Sequence, residues 1–197
     1  MGEKRFLTYD EQITFLEKEK GLIISNKEYA KKILLKIGYF PLINGYKEIF
    51  KEPTNNQFQK GTSFEDIYEL YDFDNDLRNI FIKYILLAER NIKSSLSYHF
   101  CKEYGDLQSD YLNVNNYERL QIPKEKGRYT YGKNDLYAQV IILKLLLSTE
   151  DFHKFFHDLK MCFKKHSIHK EILGKMGFPE NWQRIGRIKN YIKSEIL

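Results

Sequence analysis

The chain has 197 residues, of which 42% are hydrophobic and 15% aromatic, enough to fill the interior of a packed domain. Its 32 basic and 27 acidic residues give a net charge of +5, which permits an acidic partner such as RNA without requiring one. No run approaches 18 apolar residues, and the N-terminus lacks the apolar core of a signal peptide, so we expect a cytoplasmic protein with no membrane partner.

The first 61 residues predict an N-terminal helical region. Thr8 and Glu11 have the spacing of a capping box, which starts a first helix. Ser25 and Glu28 repeat this signature and predict that a second helix begins beside them. A tight aromatic connection, a short helical turn and a polar surface loop complete the region.

Residues 62–105 hold the stretch around which the fold is predicted to be organised. Ser63 and Asp66 cap a short helix over 64–71, which leads into a long amphipathic helix over 74–105. The long segment has no proline and ends on a glycine, the usual residue after a helix C-terminus. Its apolar face is predicted to include Leu77, Phe81, Tyr84, Ala88, Ile92 and His99.

Residues 106–133 form an irregular segment with no sustained period, predicted to be a loop or hinge. Basic and aromatic residues alternate in it, a composition that suits single-stranded nucleic acid. The candidates for nucleic-acid binding are Arg119, Lys124, Lys126, Arg128 and Tyr129. The alternative is a surface loop whose tyrosines lie against the core.

Residues 134–197 predict a C-terminal helical region. One helix starts near Asn134, and Ser148 with Asp151 caps a second. A short helix ends at Gly177, and a last helix follows it. The inward positions of the two longer helices are predicted to be Leu136, Val140, Leu143, Leu147, Phe152, Phe155, Phe156, Leu159 and Phe163. No segment alternates like a strand, so the class is all-α, and we expect one compact domain.

The polar side of the long helix carries the other candidates for RNA binding, Lys83, Arg90 and Lys93. Lys83 and Arg90 are seven residues apart and lie on the same side of a helix, where they could follow a phosphate backbone. The alternative is an ordinary solvated face. Glu89 is expected to form an i,i+4 ion pair with Lys93, or to lie partly buried beside the apolar residues near it.

The histidines predict no metal site. His153 and His157 lie four residues apart, a spacing that can bind a metal, but the two phenylalanines between them indicate an ordinary amphipathic helix. His166 and His169 lie in a predicted basic turn, which repels a cation. His99 lies on the apolar face of the long helix and is predicted to be a buried structural residue.

Sequence signatures of catalysis are missing as well. The chain has neither a G-x-S-x-G elbow nor a glycine-rich phosphate loop, and no arginine is followed five positions later by a histidine. Cys101 and Cys162 lack metal-binding spacing and are predicted to be reduced core residues. We therefore predict no catalytic residue, no metal and no cofactor.

Several blocks together nevertheless resemble one family in order along nearly the whole chain. They are TYDEQITFLEKEKGLII, YFPLINGYKEIF, the FEDIYELYDFDNDLRN stretch that continues to YHFCKEYG, YGKNDLYAQVIILKLLLSTEDF and ILGKMGFPENW. Each resembles a block of the Abi-like family, bacterial abortive-infection phage-defence proteins of the AbiD/AbiF group. The resemblance implies a HEPN-related helical bundle, a fold whose members often dimerise and include RNases.

The resemblance also implies which residues belong to a site. Glu89 and Arg90 match the acidic and basic positions of the family's long helix and are carried over as site-associated. Family members usually also carry a segment containing Arg-x4-His before the KNDL block. That segment is missing here, with a junction near Tyr117 and Glu118, so the family's nuclease activity is carried over onto no residue.

The prediction is therefore an all-α, HEPN-related bundle organised on one long helix, with small N- and C-terminal helical elements. It is expected to bind RNA, a specific non-coding RNA included, to form a homodimer and to lack autonomous nuclease activity. One alternative is a metal-independent endoribonuclease whose Arg/His motif comes from a partner or from the omitted segment. The other is a non-catalytic regulatory or interaction protein.

Overall fold

The computed structural model describes residues 6–117, 136–166, 173–174, 176–180 and 182. These residues confirm the all-α class, since apart from two isolated bridges their regular structure is helical. The chain divides into two compact units, Met1–Arg78 and Asn79–Leu197. None of the described helices is both long enough and apolar enough to cross a membrane.

Helix α1, Tyr9–Lys18, opens the first unit and confirms the predicted capping box. The Glu11 carboxylate accepts a hydrogen bond from the Thr8 backbone N–H at 2.8 Å, and the Thr8 hydroxyl accepts one from the Glu11 N–H at 3.3 Å. Two of the otherwise unpaired N–H groups at the helix start are satisfied in this way.

Helix α2, Lys27–Ile37, is capped by Asn26 rather than by Ser25, so the second predicted capping box is wrong. The Asn26 Oδ1 accepts a hydrogen bond from the Tyr29 N–H at 2.9 Å. Asparagine caps a helix as well as serine does, and here it stands one residue closer to the first turn. The predicted end of the helix is confirmed at Gly38, whose φ of +91° favours glycine.

The aromatic connection after α2 folds into a π-helical segment, Phe40–Asn44, followed by α3, Gly45–Phe50. The polar loop after α3 returns to the end of α1, where the Phe58 N–H donates to the Lys20 carbonyl at 2.8 Å. A shared core closes the unit: Ile13, Leu16, Leu22, Ile24, Ala30, Ile33, Leu34, Leu42, Ile43, Phe58, Phe64 and Ile67.

Helix α4, Phe64–Tyr104, is a single helix of 41 residues. The predicted division into a short helix and a long one is wrong, because no glycine or proline around residues 72–73 stops the first segment. Ser63 confirms the predicted start, since its hydroxyl accepts a hydrogen bond from the Asp66 N–H at 3.1 Å. The helix ends at Gly105, whose φ is +104°.

The residues after α4 contain more order than predicted. Helix α5, Gln108–Leu112, and a 3₁₀ turn, Val114–Asn116, occupy the start of the predicted loop. Both lie close to the end of α4, where the Phe100 ring stacks on Tyr111 with centroids 4.6 Å apart.

The second unit contains α6, Leu136–Leu146, and α7, Thr149–Lys165. Ser148 caps α7 as predicted, by accepting a hydrogen bond from the Asp151 N–H at 3.1 Å. The predicted inward face of α7 is confirmed, and its Phe155 ring lies 5.3 Å from that of Phe81 on α4. Trp182 packs against the same helix, with its ring centroid 5.0 Å from that of Phe163.

Three predicted placements are wrong. His99 is exposed, because the residues of α4 from Ile92 to His99 are exposed one after another. Ile92, on the same predicted apolar face, is 47% exposed. His166, by contrast, lies in a turn directly after α7, as predicted, and is 5% exposed. Cys101 is half-buried rather than in the core, with its Sγ 2.7 Å from the Tyr111 hydroxyl, whereas Cys162 is buried as predicted.

Candidate nucleic-acid interface

The exposed side of α4 carries the predicted basic residues, because the opposite side is taken up by its contacts with α7. Phe81, Tyr84 and Ala88 are buried, whereas Lys83 and Arg90 are exposed. At 1.5 Å per residue, Lys83 and Arg90 lie about 10 Å apart along the helix axis. The sequence pattern therefore placed the polar side of the helix correctly.

Lys83 is held by an acidic residue of α7. Its Nζ lies 3.0 Å from Oδ2 of Asp158, and the Tyr84 hydroxyl donates a hydrogen bond to the same oxygen at 2.9 Å. The hydrogen bond to Asp158 raises the pKa of Lys83, so this ammonium group stays charged. A phosphate group at Lys83 would therefore compete with an existing carboxylate.

Asp158 itself is surrounded by donors. Burial alone would raise the pKa of Asp158, but the hydrogen bonds from Lys83 and Tyr84 outweigh burial and hold that pKa below its ordinary value. His157 lies further away, with its Nδ1 3.8 Å from Oδ1 of Asp158. The carboxylate is thus ionised at neutral pH and neutralises part of the positive charge on this side of α4.

Lys93 is also paired, and the partner is the one predicted. Its Nζ lies 2.6 Å from Oε1 of Glu89 in an i,i+4 pair on the helix surface. The Glu89 side chain is 49% exposed, so the alternative of a buried carboxylate is wrong. Such a pair contributes only about 0.3–0.5 kcal/mol, so a phosphate could separate it at small cost.

Arg90 differs from both lysines. It is exposed, and it takes part in none of the ion pairs or hydrogen bonds found among the described residues. Its guanidinium is planar and matches the geometry of a phosphate with two parallel N–H donors. Of the predicted α4 cations, Arg90 is the one most available to an acidic ligand.

The loop half of the predicted interface lies outside the described residues. This applies to Arg119, Lys124, Lys126, Arg128 and Tyr129. The described structure therefore brings together only the α4 part of the predicted site.

An apolar groove between α4 and α6 was missed by the sequence prediction. Ile85 and Ile92 line one side and Ile142 and Leu146 the other, around a volume of about 440 Å³. These four side chains are between 42% and 52% exposed. The signal was present in the run VIILKLLL of α6, which is apolar on more than one side of the helix although only one side can face the core.

Polar groups flank this groove. Glu89 and Lys93, the ion pair of α4, lie along its wall, and Gln139 lines it from α6. The groove thus combines an apolar floor with one acidic and one basic group, an arrangement found at protein–protein contacts.

Comparison with known proteins gives one match. The sequence model of the family described as Abi-like protein matches residues 32–192, most of the chain. No curated protein and no solved structure matches the chain.

Proposed function

The chain belongs to the Abi-like family, and from this premise we propose that it acts in abortive infection, the bacterial defence against phage, by binding RNA along α4. The proposal rests on the polar side of that helix, with Arg90 exposed and Lys83 on the same side. A net charge of +5 favours the approach of a polyanion.

The observation that carries the RNA proposal is the availability of Arg90. Lys83 and Lys93 already have carboxylate partners at 3.0 and 2.6 Å, whereas no described residue pairs with Arg90. A contact between Arg90 and a phosphate gains two charge-assisted hydrogen bonds and breaks no ion pair within the protein. Arg90 is therefore the expected first contact, and the two lysines add to it when the strand displaces their partners.

The test is the salt dependence of RNA affinity in an Arg90→Gln variant. Fluorescence anisotropy with a labelled single-stranded RNA should show weaker binding and a slope of log affinity against log salt that is smaller by about 0.7, because one phosphate contact is lost. The matched control is Arg78→Gln on the same helix, since Arg78 is already bound to Asp74. Equal losses in the two variants, or none, would contradict a specific role for Arg90.

We propose further that this chain does not cut RNA by itself. Metal-independent cleavage needs an acid or base near neutral pKa and a cation for the transition state, and the sequence has no Arg-x4-His pair. Labelled RNA incubated with the purified protein, with and without EDTA, should remain intact. Cleavage that survives repurification and disappears in Arg90→Ala would favour the endoribonuclease alternative.

The apolar groove supports a second part of the proposal, a homodimer formed through α4 and α6. The groove exposes four large aliphatic side chains beside the Glu89–Lys93 pair. A twofold axis places the same surface on both copies, so that Glu89 of one copy can approach Lys93 of the other in an antiparallel arrangement. This charge complementarity is the reason to choose a second copy as the occupant.

Charge reversal tests the dimer. Glu89→Lys alone and Lys93→Glu alone should each weaken dimerisation in analytical ultracentrifugation, because like charges then meet across the axis. A mixture of the two single variants should recover the dimer. Ile142→Glu should abolish it, whereas Leu35→Glu, on an exposed apolar residue of α2, should leave it unchanged.

A monomeric parent protein would contradict the dimer directly. A parent that pairs only with a longer relative would favour the alternative of a regulatory protein.

A further inference from the structure

A small basic pocket in the first unit has no role in the function proposed above, which concerns α4 and α6 of the second unit. Its wall is built from the end of α1, the π-helical segment, α3 and the polar loop that follows α3. Its lining residues are Lys20, Tyr39, Ile43, Asn44, Lys47, Lys51, Asn56, Gln57 and Phe58. The pocket thus joins Lys20 to the stretch 39–58, which is separate from it in sequence.

The charged residues that line the pocket are all basic. Three lysines line it, and the lining contains no carboxylate. Lys20, Lys47 and Lys51 are each half-buried, and none takes part in an ion pair with a described residue. Elsewhere in the same unit, lysines do find acids: Lys27 pairs with Glu17 and Lys31 with Asp10, both at 2.7 Å.

Three lysines line one pocket with no acid among its lining residues, so no carboxylate of the lining neutralises their positive charge. The remaining lining groups suit an anion as well. Asn44, Asn56 and Gln57 carry amide N–H donors, and the apolar residues Ile43 and Phe58 complete the wall. The lining therefore offers donors and positive charge around one pocket.

The pocket is held in place by backbone hydrogen bonds. The Phe58 N–H donates to the Lys20 carbonyl at 2.8 Å, and the Gln59 N–H donates to the Phe50 carbonyl at 2.8 Å. Lys51 and Phe58 also face each other in an isolated antiparallel bridge. A site whose walls are fixed in this way requires little ordering when a ligand binds.

The size of the pocket limits the ligand. Its volume is about 60 Å³, whereas pockets for whole small molecules measure about 300–1,000 Å³. One water needs about 10–15 Å³ on this scale, so the pocket holds roughly four or five waters. That is room for a tetrahedral anion and not for a base or a sugar.

We propose that this pocket binds a single phosphate group carried by a nucleotide or by an RNA strand. Lysine binds phosphate as a point charge, and three lysines can surround one phosphate group, which carries about two negative charges in a nucleotide and about one within a strand. The rest of the ligand would lie outside, because the pocket is too small to hold it. A free nucleotide and a strand share this phosphate chemistry and are separated by the experiment.

The experiment is a titration of the isotope-labelled full-length chain followed by amide NMR at constant ionic strength. The probes are inorganic phosphate, AMP, adenosine and a short RNA with a 5′-hydroxyl end. Phosphate and AMP should shift the amide signals of Lys47, Lys51 and Gln57, and adenosine should not. If a strand is the ligand, the 5′-hydroxyl RNA shifts the same signals; if a free nucleotide is the ligand, only phosphate and AMP do.

The variant arm uses Lys47→Gln combined with Lys51→Gln. Its dissociation constant for AMP should rise by about tenfold or more, because two charge-assisted contacts are lost. The matched control is Lys32→Gln combined with Lys36→Gln, two exposed lysines of α2 that remove the same charge from the same unit. The control should change the constant by less than about twofold, since distant exposed charges are screened.

The proposal is overturned if neither phosphate nor AMP shifts the pocket signals, or if the control pair weakens binding as much as the pocket pair. Melting temperatures of both double variants show that they are folded. Because the Arg90→Gln test reports on α4, RNA binding there can fail while the pocket still binds phosphate, and the reverse also holds.

Discussion

The two ends of α4 share the same spacing of apolar residues but have different surroundings. Residues 64–78 bury an apolar side chain at each turn: Phe64, Ile67, Leu70, Phe73 and Leu77. Residues 92–104 continue the same three-to-four spacing, yet Ile92, Leu96 and His99 are exposed. Periodicity therefore specifies the helix at both ends, whereas burial at each turn occurs only at the first end.

Exposure at the far end bears on the contacts proposed for α4. A helix whose apolar residues face solvent gains stability when a partner covers them. The polar side with Arg90 and the groove with Ile85 and Ile92 lie in the second unit. The first end is buried at each turn, whereas the rest of α4 carries the exposed surface to which the RNA and dimer contacts are proposed.

The largest expected effect comes from replacing one apolar side chain at each end of α4 by alanine. Phe73→Ala should lower the free energy of unfolding by about 3–5 kcal/mol, because it leaves a cavity at a side chain that is 1% exposed. Leu96→Ala, at a side chain that is 66% exposed, should change it by less than about 0.5 kcal/mol. Urea denaturation measures both, and similar losses would break the comparison.

Hydrogen exchange measures the same difference without mutation. Backbone amides in residues 66–77 should exchange about a hundredfold more slowly than those in residues 93–103, since buried helix opens with a higher free energy than an exposed end. The readout is exchange followed by mass spectrometry on the parent protein. If bound RNA or a second copy of the chain covers the exposed end, residues 93–103 should exchange more slowly. Equal protection of the two segments in the free protein would contradict the comparison.

A variant at Tyr46 tests the hydrogen bond that joins α3 to the first end of α4. Its hydroxyl donates to Oδ2 of Asp74 at 2.6 Å, and Asp74 also binds Arg78. Tyr46→Phe should cost about 1.5–3 kcal/mol, because the hydrogen bond goes to a charged group.

The same contact predicts a dependence on alkaline pH. Burial first, and then the hydrogen bond to Asp74, raises the pKa of Tyr46 well above its ordinary value of 10.0. The folded state therefore binds this proton more tightly than the unfolded state does. Its contribution is complete below pH 10 and is lost as the pH rises further, so Tyr46→Phe should flatten that loss. Parallel pH curves above pH 10 would contradict the assignment.

The smallest expected effect concerns His99. The sequence predicted a buried structural histidine, for which truncation would cost about 1–3 kcal/mol. Since the side chain is exposed, His99→Ala should change the free energy of unfolding by less than about 0.5 kcal/mol. A larger loss in thermal denaturation would mean that the far end of α4 is covered in solution.

The sequence by itself determined the structural features that depend on residues close together in the chain. The capping boxes at Thr8 and Ser63 and the cap at Ser148 were predicted, and so was the end of α2 at Gly38. The inward face of α7 followed from its spacing of phenylalanines. These features involve hydrogen bonds and side chains within a turn or two, so their signals lie within a few letters of sequence.

The tertiary structure alone decided what depends on distant residues. Asp158, which pairs with Lys83, is 75 positions away from it, and no local pattern specifies that partner. The proposed phosphate pocket combines Lys20 with Lys47 and Lys51, which lie 27 and 31 positions further along the chain. His99 was misplaced for the same physical reason: a helix repeats every 3.6 residues whether or not another element lies against it, so period reveals a face and only packing reveals whether that face is buried.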